Sequence, residues 1–428
     1  MEDFLARKHA QERLRQNDSP PLVPSNHQIR HPAKIKAVKA CVSRALGLKG
    51  IAQRCPAPNP VSLGIAGLKL LQQKPYCVAE KCDGQRFLLV LTRYPRTVGG
   101  HMVAVLVNRR WDMYEIAVQA PQPLFRGTVL DGELVVEHPR QVWLGFDLWM
   151  LSGDAQVGRQ VYPLRHKGVE RLLDMEGLDC LTSTNWLEDV TTLASKCKIV
   201  CEGNCYGLTF RPKPLWPASE TQTVWEQRDQ LRHLSDGLVF TPRDAEVRPY
   251  TQTSQLKWKP VPTIDLLWKT TYNVAEQEWE HRIFMQDGQD LVDVTEAGLT
   301  VTVPEGLITD LHQVTLPAAV IPNAYLTTIL QWADEHAKTD LAYVGEFSCR
   351  LPSEADFTTL LTAEEDEDPP VPVVECYLLR LRHDKTGPNH CHVVRNTLRD
   401  LAANVSIRDI LKHVVPADPV PVNAIPVS

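Results

Sequence analysis

Apolar runs rich in branched and aromatic residues predict a chain built mainly from short strands. Such residues are typical of strands, and in the middle of the chain they form the runs Cys77–Cys82, Arg86–Arg93, His101–Val107, Val129–Val136, Val142–Leu151 and Asp236–Pro242. Few helix-like segments separate these runs, so we expect the strands to pair mainly antiparallel rather than as repeated strand–helix–strand units.

Apolar residues at helical spacing predict one helix over Lys34–Leu48 and a last one over Val393–Val415. After Trp258 the pattern changes to the short apolar runs Leu299–Val303, Leu341–Leu351 and Val374–Arg382, which suit a small barrel. We therefore expect one domain over 36–262 and a second over 263–415 that includes the last helix. Prolines and polar residues predict flexible ends at 1–35 and 416–428.

Composition narrows the class of protein. The chain has 428 residues, of which 43% are apolar and 23% charged, as in ordinary globular proteins. Its formal net charge of −6 excludes coating of long nucleic acid by bulk charge, so phosphate chemistry needs a local cationic cleft. The charged N-terminus lacks a secretory signal, and no apolar run reaches the roughly 20 residues of a membrane span. The 11 scattered cysteines favour a reducing compartment.

The segment around Lys81 contains the first candidate for chemistry. Lys81 ends an apolar strand and is followed by Asp83, Gly84 and Arg86. A lysine attacks phosphorus only as the neutral amine, which nearby cations or removal from water favour. A nearby acid, a glycine where the backbone turns and an arginine that grips ribose or phosphate would form a compact nucleotide site. The alternative is a surface hairpin around the Asp-Gly pair.

Two further Asp-Gly segments supply carboxylates. Asp131 and Glu133 are two residues apart on a predicted strand, so their side chains share a face. There they suit a hard divalent cation that bridges phosphates. A hairpin with solvent-facing acids is the alternative for this pair. Asp236 directly precedes another apolar strand.

Two pairs of cations are placed where an anion would stabilise them. Lys257 and Lys259 lie on one face of a predicted strand, with Trp258 on the other. Like charges side by side cost energy unless an anion lies between them, so a phosphate is their natural partner. Arg380 and Arg382 also share a face.

The second arginine pair is followed by Asp384, Lys385 and Asn389. A cationic set of this kind suits a pyrophosphate leaving group. The sequence has neither a Walker A loop nor a GxGxxG motif, so we expect side chains to hold the phosphates.

Taken in order, the motifs K-x-D-G-x-R, N-R, D-G-E-L-V, F-D, D-G-L-V-F, K-W-K-P and R-x-R-x-D-K-x-x-P-N resemble those of eukaryotic-type mRNA guanylyltransferases. These enzymes form the GTP-dependent branch of the covalent lysyl-nucleotidyltransferases, whose other branches are ATP- and NAD-dependent ligases. Each motif alone is weak, but the ordered set is specific. The match extends from Cys55 to about Val415 and covers nearly the whole chain.

The resemblance implies an α+β fold, in which a nucleotidyltransferase domain with antiparallel sheets is followed by a C-terminal OB-fold domain. Lys81 would attack the α-phosphate of GTP, form a covalent lysyl-N-GMP and release pyrophosphate. The GMP would then pass to a 5′-diphosphate RNA end and give a GpppN cap. Mg²⁺ or Mn²⁺ is the implied cofactor, with GTP as the substrate.

The resemblance also implies roles for individual residues. Asp83 and Gly84 belong to the motif of the nucleophile. Arg86 and Arg109 match arginines near the ribose and phosphates. Phe146 matches the aromatic residue that stacks on the base, and Lys213 matches a lysine that reads the guanine carbonyl.

The remaining implied GTP contacts are charged residues. Glu133 and Asp236 match acidic groups near the ribose and the metal, and Lys257 and Lys259 match the contacts to the α-phosphate. Arg380, Asp384 and Lys385 match the motif of the OB-fold domain that orients the pyrophosphate in the first step.

The resemblance further implies partners and a compartment. About 50 residues precede the transferase body, and they lack a Cys-x5-Arg phosphatase loop. We therefore expect a separate RNA triphosphatase and a separate cap methyltransferase, no membrane, and the RNA polymerase II tail as a further partner. The family implies the nucleus, or the cytoplasm for a viral protein.

Two other functions fit parts of the sequence. An ATP-dependent polynucleotide ligase would use the same covalent lysine, and labelling by ATP but not by GTP would identify it. Asp236 favours GTP, because ligases usually have glutamate before that glycine. A pseudoenzyme that serves as a scaffold is the second alternative, but the expected catalytic positions are all filled.

Overall fold

The computed structural model describes residues 27–137, 140–173, 200–201, 208–275, 278–294, 319–320, 340–350, 375–382, 385 and 387–415. The chain divides into two compact units. The larger comprises Ala10–Lys259 and Ile407–Ser428, and the smaller comprises Met1–His9 and Pro260–Ser406. Each unit is described by itself below.

The larger unit holds two main sheets. Its strands are β1 (Asn59–Ser62), β2 (Tyr76–Cys82), β3 (Gln85–Arg93), β4 (Met102–Val107), β5 (Met113–Ile116), β6 (Val118–Gln119), β7 (Thr128–Glu137), β8 (Arg140–Met150), β9 (Val200–Cys201), β10 (Leu208–Pro212), β11 (Trp216–Pro217), β12 (Ser235–Pro242) and β13 (Thr251–Trp258). One sheet has the order β10-β8-β7-β3-β4-β5 and the other β1-β13-β12-β2-β11, while β6 pairs with β9. Pairing is mainly antiparallel, as expected, but β1 with β13 and β10 with β8 are parallel.

The continuous apolar run in β3 follows from burial of the six-stranded sheet on both faces. Phe87, Leu89 and Leu91 pack into one apolar cluster, and Leu88 and Val90 pack into another. Successive side chains of a strand point to opposite faces, so a strand covered on both sides has no polar alternation. The six-stranded sheet is therefore held between two apolar cores, which fix the position of β3.

The described residues contain six α-helices. In chain order the helices are α1 (Pro32–Ala45), α2 (Ile65–Leu71), α3 (Tyr162–Leu173), α4 (Thr221–Gln227), α5 (Cys391–Ala403) and α6 (Ile407–His413). The expected single helix over Val393–Val415 is wrong, because α5 ends and α6 begins separately. Asn404 adopts a left-handed backbone with φ 45° and caps α5, and its N–H donates to Asp400 and Leu401.

Within its described residues, the smaller unit contains a six-stranded sheet with one helix against it. Its strands are β14 (Thr263–Asn273), β15 (Glu278–Asp287), β16 (Asp290–Asp293), β17 (Ala319–Val320), β18 (Asp340–Arg350) and β19 (Glu375–Leu381), in the order β16-β15-β14-β18-β19-β17. Trp268 and Phe347 are fully buried in its core, against which Val394 and Leu398 of α5 pack. A mixed helix-and-strand fold is thus observed in both units.

Some expectations lie outside the described residues. These are the strand over Leu299–Val303, most of the N-terminal segment 1–35 and the tail 416–428. The expected domain limits at 262 and 263 stay a prediction; in the sequence, the division between the two units falls between Lys259 and Pro260. Across the described helices, none is both long enough and apolar enough to cross a membrane.

Candidate active site

The three Asp-Gly pairs singled out in the sequence are not hairpin turns. Asp83 and Gly84 connect β2 to β3, and these two strands belong to different sheets. The other two pairs lie inside the continuous strands β7 and β12. The hairpin alternatives for the Asp83 and Asp131 segments are therefore wrong, and all three pairs lie within the sheets or sheet connections of the larger unit.

Lys81 lies near the end of β2 and contacts a buried carboxylate from the neighbouring strand. Its Nζ is 2.8 Å from Oδ1 of Asp236, and Nζ of Lys259 is 2.8 Å from Oδ2. The pairing of β2 with β12 places Gly237 opposite Lys81. A Cβ on Gly237 would meet the carbonyl oxygen of Trp258 at 1.9 Å, so only glycine allows this approach.

Asp236 holds both lysines by charge. Burial alone would raise the pKa of the Asp236 carboxyl, but Lys259 and Lys81 together hold it well below its usual range. The carboxylate is therefore ionised and orients both ammonium groups. The side chain of Lys81 is 23% exposed, so its amine can be reached by a substrate.

Arg86 is fixed by a carboxylate that the sequence pattern assigned to a metal. Nε of Arg86 donates to Oδ1 of Asp131 at 2.8 Å, and Nη2 donates to Oδ2. Nη1 donates to the carbonyl oxygen of Pro58. Asp131 is buried and bidentate to Arg86, so the expectation that Asp131 and Glu133 bind a cation together is not met: Asp131 neutralises an arginine instead.

Glu133 faces several cations. The N–H of Gly84 donates to its Oε1 at 3.3 Å, and a Cβ on Gly84 would lie 2.4 Å from the carbonyl oxygen of Leu134. Burial raises the pKa of Glu133, although Lys213, Lys81 and Arg109 act in the opposite direction. Glu133 is thus a carboxylate partly removed from water near Lys81.

Phe146 forms one wall of a cationic pocket. Nζ of Lys213 lies 5.6 Å from its ring centroid, and the guanidinium carbon of Arg86 lies 5.7 Å away. The backbone here is anchored by helix α3, since the hydroxyl of Tyr162 donates to the carbonyl of Phe146 at 3.1 Å. A half-buried aromatic ring with an ammonium beside it suits a flat base with a carbonyl group.

The next residue, Asp147, ties the same strand to α3. Its carboxylate accepts hydrogen bonds from Nε and Nη2 of Arg165 at 2.7 and 3.1 Å. Arg165 also donates to the carbonyl groups of Gln160 and Ala245. This buried pair fixes the strand on which Phe146 stands.

Lys213 itself belongs to a buried chain of charges. Its Nζ is 3.3 Å from Oε2 of Glu80, and Oε1 of Glu80 is 3.2 Å from Nε2 of His233. Nδ1 of His233 is 3.0 Å from Oε1 of Glu137, which also pairs with Arg211. Burial alone would lower the pKa of Lys213, but neighbouring groups, including Glu80 and Glu133, raise it overall, so Lys213 carries its charge.

The other expected site residues of the larger unit are less buried. Asp83 and Lys257 are half-buried, and Lys257 is on β13 opposite Val239. Arg109 is exposed to solvent. Partial removal from water and the charge of Arg86 lower the pKa of Arg109, whereas Glu133 and Asp131 act in the opposite direction.

In the smaller unit, part of the C-terminal motif gathers around Asp265. Nη1 of Arg382 lies 3.1 Å from Oδ1 of Asp265, and Nζ of Lys385 lies 3.5 Å from Oδ2. The side-chain oxygen of Asn389 accepts from the N–H of Asp265 at 2.8 Å. The side chain of Arg380 and the whole of Asp384 lie outside the described residues.

The sequence pattern alone does not single out Glu80, His233, Glu137 or Arg165. Glu80 had one available signal, because it is a charged residue inside the otherwise apolar run Cys77–Cys82. His233 and Arg165 had none, since their partners are brought together only by the fold. These four residues hold the candidate site residues, or the strands that carry them, in place through buried ion pairs and hydrogen bonds.

Comparison with known proteins relates the chain to one group of enzymes. A model of the family described as "mRNA capping enzyme, catalytic domain" matches residues 22–261, more than half of the chain. The mRNA-capping enzyme subunit alpha of Schizosaccharomyces pombe is 25% identical over 403 residues, which cover 89% of this chain and 84% of that protein. The subunit of the same name from Eremothecium gossypii is 25% identical over 442 residues, covering 91% of this chain and 84% of that protein.

Among solved structures, the mycobacterial DNA ligase D complexed with ATP and MES aligns with a TM-score of 0.35 and 15% sequence identity. The alignment covers 78% of this chain and 96% of the ligase chain. The family match, by contrast, ends at residue 261, close to the boundary of the larger unit after Lys259. The residues described above, from Lys81 to Lys259, all fall within that match.

Proposed function

The chain belongs to the mRNA capping enzyme family and is a guanylyltransferase of RNA ends, and we propose that Lys81 is the residue that carries GMP from GTP to the RNA. The observation that supports this assignment is the shared carboxylate. Asp236 orients the amine of Lys81 and the ammonium of Lys259 at equal distances of 2.8 Å. A nucleophile and a phosphate-binding cation are therefore held side by side.

The reaction has two steps. In the first, Nζ of Lys81 releases a proton to solvent and attacks the α-phosphorus. A P–N bond forms, and the bond from the α-phosphorus to the bridging oxygen breaks, so that pyrophosphate leaves with the electron pair. In the second, a terminal phosphate oxygen of a 5′-diphosphate RNA attacks the same phosphorus. The P–N bond breaks with its electron pair going to the lysine nitrogen, which takes up a proton from solvent, and the GpppN cap is formed.

Such in-line transfers depend more on positioning and charge neutralisation than on acid–base chemistry. Lys259 replaces its contact to Asp236 by a contact to the α-phosphate, and Lys257 adds a second positive charge from the same strand. Arg86 is held rigid by Asp131, so its guanidinium presents a fixed positive edge to the ribose and phosphates. Arg109, which is exposed, adds a further positive charge from the solvent side of the site.

The base is bound between Phe146 and Lys213. The ring of Phe146 supplies a stacking surface, and the ammonium of Lys213 donates a hydrogen bond to the guanine carbonyl. Adenine has an amino group at that position, which also donates and so cannot accept from Lys213. This favours GTP over ATP and thus capping over ligation.

A divalent cation fits one of the two carboxylates expected to hold it. Glu133 is buried enough for its pKa to be raised, and a cation bound there would offset that cost. Asp236 does not fit in the conformation observed, because a lysine occupies each of its oxygens. When bound, Mg²⁺ or Mn²⁺ neutralises the negative charge of the phosphates.

The finer assignments of the smaller unit and of the partners rest on the family. We propose that the smaller unit is the OB-fold domain, in which Arg380, Asp384 and Lys385 orient the pyrophosphate. The relatives are named subunit alpha, which supports a second subunit such as an RNA triphosphatase. A separate cap methyltransferase, the RNA polymerase II tail and residence in the nucleus complete the proposal.

Incubation of the full chain with α-labelled GTP and Mg²⁺ or Mn²⁺, followed by denaturing electrophoresis, tests the proposal. We expect a covalent label on the wild type and none on Lys81→Ala. Lys74→Ala is the matched control, because Lys74 lies just before the same strand and pairs with exposed Asp244 at 2.9 Å. A label that persists on Lys81→Ala, or a wild type that accepts ATP but not GTP, would refute the proposal.

A further inference from the structure

We propose that Glu80, held in place by His233, is a positioning residue that aims Lys213 at the base and thereby sets the preference for guanine over adenine. The inference rests on the proposed function of the site, because it concerns how the pocket distinguishes two nucleotides. It adds a determinant of specificity on the residue directly before the nucleophile.

The position of Glu80 in β2 separates it from the reaction itself. Successive residues of a strand point to opposite faces, so Glu80 faces away from the direction of Lys81. Glu80 is 6% exposed, and Oε1 lies 3.2 Å from Nε2 of His233 and accepts from the Cys82 thiol at 3.4 Å. Its Oε2 makes no hydrogen bond among the described residues and lies 3.3 Å from Nζ of Lys213.

His233 braces Glu80 against the other sheet. Its Nδ1 is 3.0 Å from Oε1 of Glu137, which is on β7 in the six-stranded sheet, whereas Glu80 is on β2 in the five-stranded sheet. With a carboxylate at each ring nitrogen, the ring has no freedom to rotate without breaking a contact. Arg211, Glu137, His233, Glu80 and Lys213 thus form one continuous series of contacts.

Lys213 is therefore fixed at the backbone and at the tip. Its N–H donates to the carbonyl of Gly145 at 2.8 Å, and its carbonyl oxygen lies 2.6 Å from Nε2 of His166. At the tip, Glu80 compensates an ammonium that is 5% exposed. A buried ammonium without a carboxylate would lose its charge or move toward water, and in either case it would read the base less strictly.

The side chains of Glu80 and His233, together with Cys82, could instead form a metal site. Ligand atoms of Glu80, Cys82 and His233 lie within 4.8 Å of one another. However, the ammonium of Lys213 already occupies the free side of Glu80, and a second cation there would be repelled. The geometry therefore favours an ion pair over a metal.

The test is the rate of covalent labelling of Glu80→Gln by GTP, ITP and ATP. We expect the GTP:ATP rate ratio to fall by about 10- to 100-fold, the effect of losing one charge-assisted contact. The ITP rate should fall together with the GTP rate, because hypoxanthine keeps the carbonyl that Lys213 reads. Glu115→Gln is the matched control: Glu115 pairs with Lys34 at 3.5 Å and is 36% exposed, so its ratio should not change.

A purely structural role predicts a different pattern. If Glu80 only supports the strand of Lys81, all three nucleotides lose rate equally and the ratio stays constant, which would overturn the proposal. In a Lys213→Met background, Glu80→Gln should change the ratio no further, whereas independent effects would contradict it. Stoichiometric zinc in the wild type that is absent from Glu80→Gln would also overturn it.

A milder variant, His233→Gln, separates the proposed role from a general loss of folding. His233→Gln keeps a donor toward Glu80 but loses the brace to Glu137, so we expect a smaller fall in the same ratio. A His233→Gln protein that folds and retains the full wild-type ratio would refute the role of the brace. A wild type that labels with no nucleotide would instead refute the proposed function.

Discussion

Asp236→Asn removes the charge that Lys81 and Lys259 share, and we expect it to destabilise the protein. Removing one partner of a buried ion pair costs about 3–5 kcal/mol. The side chain of Asp236 is 7% exposed, but each lysine is 23% exposed, so water recovers part of the loss. The remaining cost is about 2–3 kcal/mol, which lowers the melting temperature of a domain of this size by about 5–10 °C.

The stability lost in Asp236→Asn should become smaller as the pH falls. Although burial alone would raise the pKa of Asp236, the two lysines hold it well below its usual range. A carboxyl with a depressed pKa in the folded state contributes stability that is complete above its unfolded pKa of about 4 and is lost as pH falls further. The difference between wild type and Asp236→Asn should therefore be constant above about pH 5 and shrink below it.

Thermal unfolding of the full chain by circular dichroism, from about pH 3 to about pH 8, measures both effects. Asp244→Asn is the control, since Asp244 forms one exposed pair with Lys74 and should change stability by less than about 0.5 kcal/mol. The reasoning fails if Asp236→Asn is as stable as the wild type at neutral pH. It also fails if the difference does not narrow as the solution becomes acidic.

Two buried groups give further predictions. Arg165→Met leaves the carboxylate of Asp147 buried without its partner, so we expect a loss of about 3–5 kcal/mol in urea unfolding; a loss below about 1 kcal/mol would contradict this account. In the smaller unit, burial lowers the pKa of His281 to about 4, and its Nδ1 accepts from Trp268 at 3.3 Å. Because the unfolded histidine takes up its proton near pH 6.5, stability falls by up to about 3 kcal/mol as pH drops from there toward 4. His281→Gln should flatten that part of the pH profile, and an unchanged profile would exclude His281 as its source.

Local pattern predicts the strands of this protein well where both faces are buried. The runs that became β3 and β7 were long and apolar, so their strand character needed no tertiary information. The final helix was harder, because the apolar spacing of α5 and α6 continues across Asn404. The left-handed backbone of Asn404 ends α5, and the presence of an asparagine does not by itself predict this conformation.

The site was predictable as a set of residues but not as a set of contacts. Lys81, Asp236 and Lys259 are marked by motif order, yet their shared carboxylate depends on strands far apart in sequence. Asp131 was expected to bind a metal with Glu133, but pairing of β3 with β7 places Arg86 against it. His233 contacts Glu80 although the two residues are 153 positions apart in the sequence, and no periodicity carries that information.

The alternation of Glu80 and Lys81 along β2 has a consequence for how this chain tolerates insertions and deletions. One residue added to or removed from β2 would exchange the two side chains across the sheet, and the amine and the carboxylate would each arrive on the wrong side. The same applies to β12, whose pairing with β2 runs from Ser235 to Pro242. The mostly exposed turn from Pro95 to Gly100 carries no such alternation, so length variation is expected there rather than in these two strands.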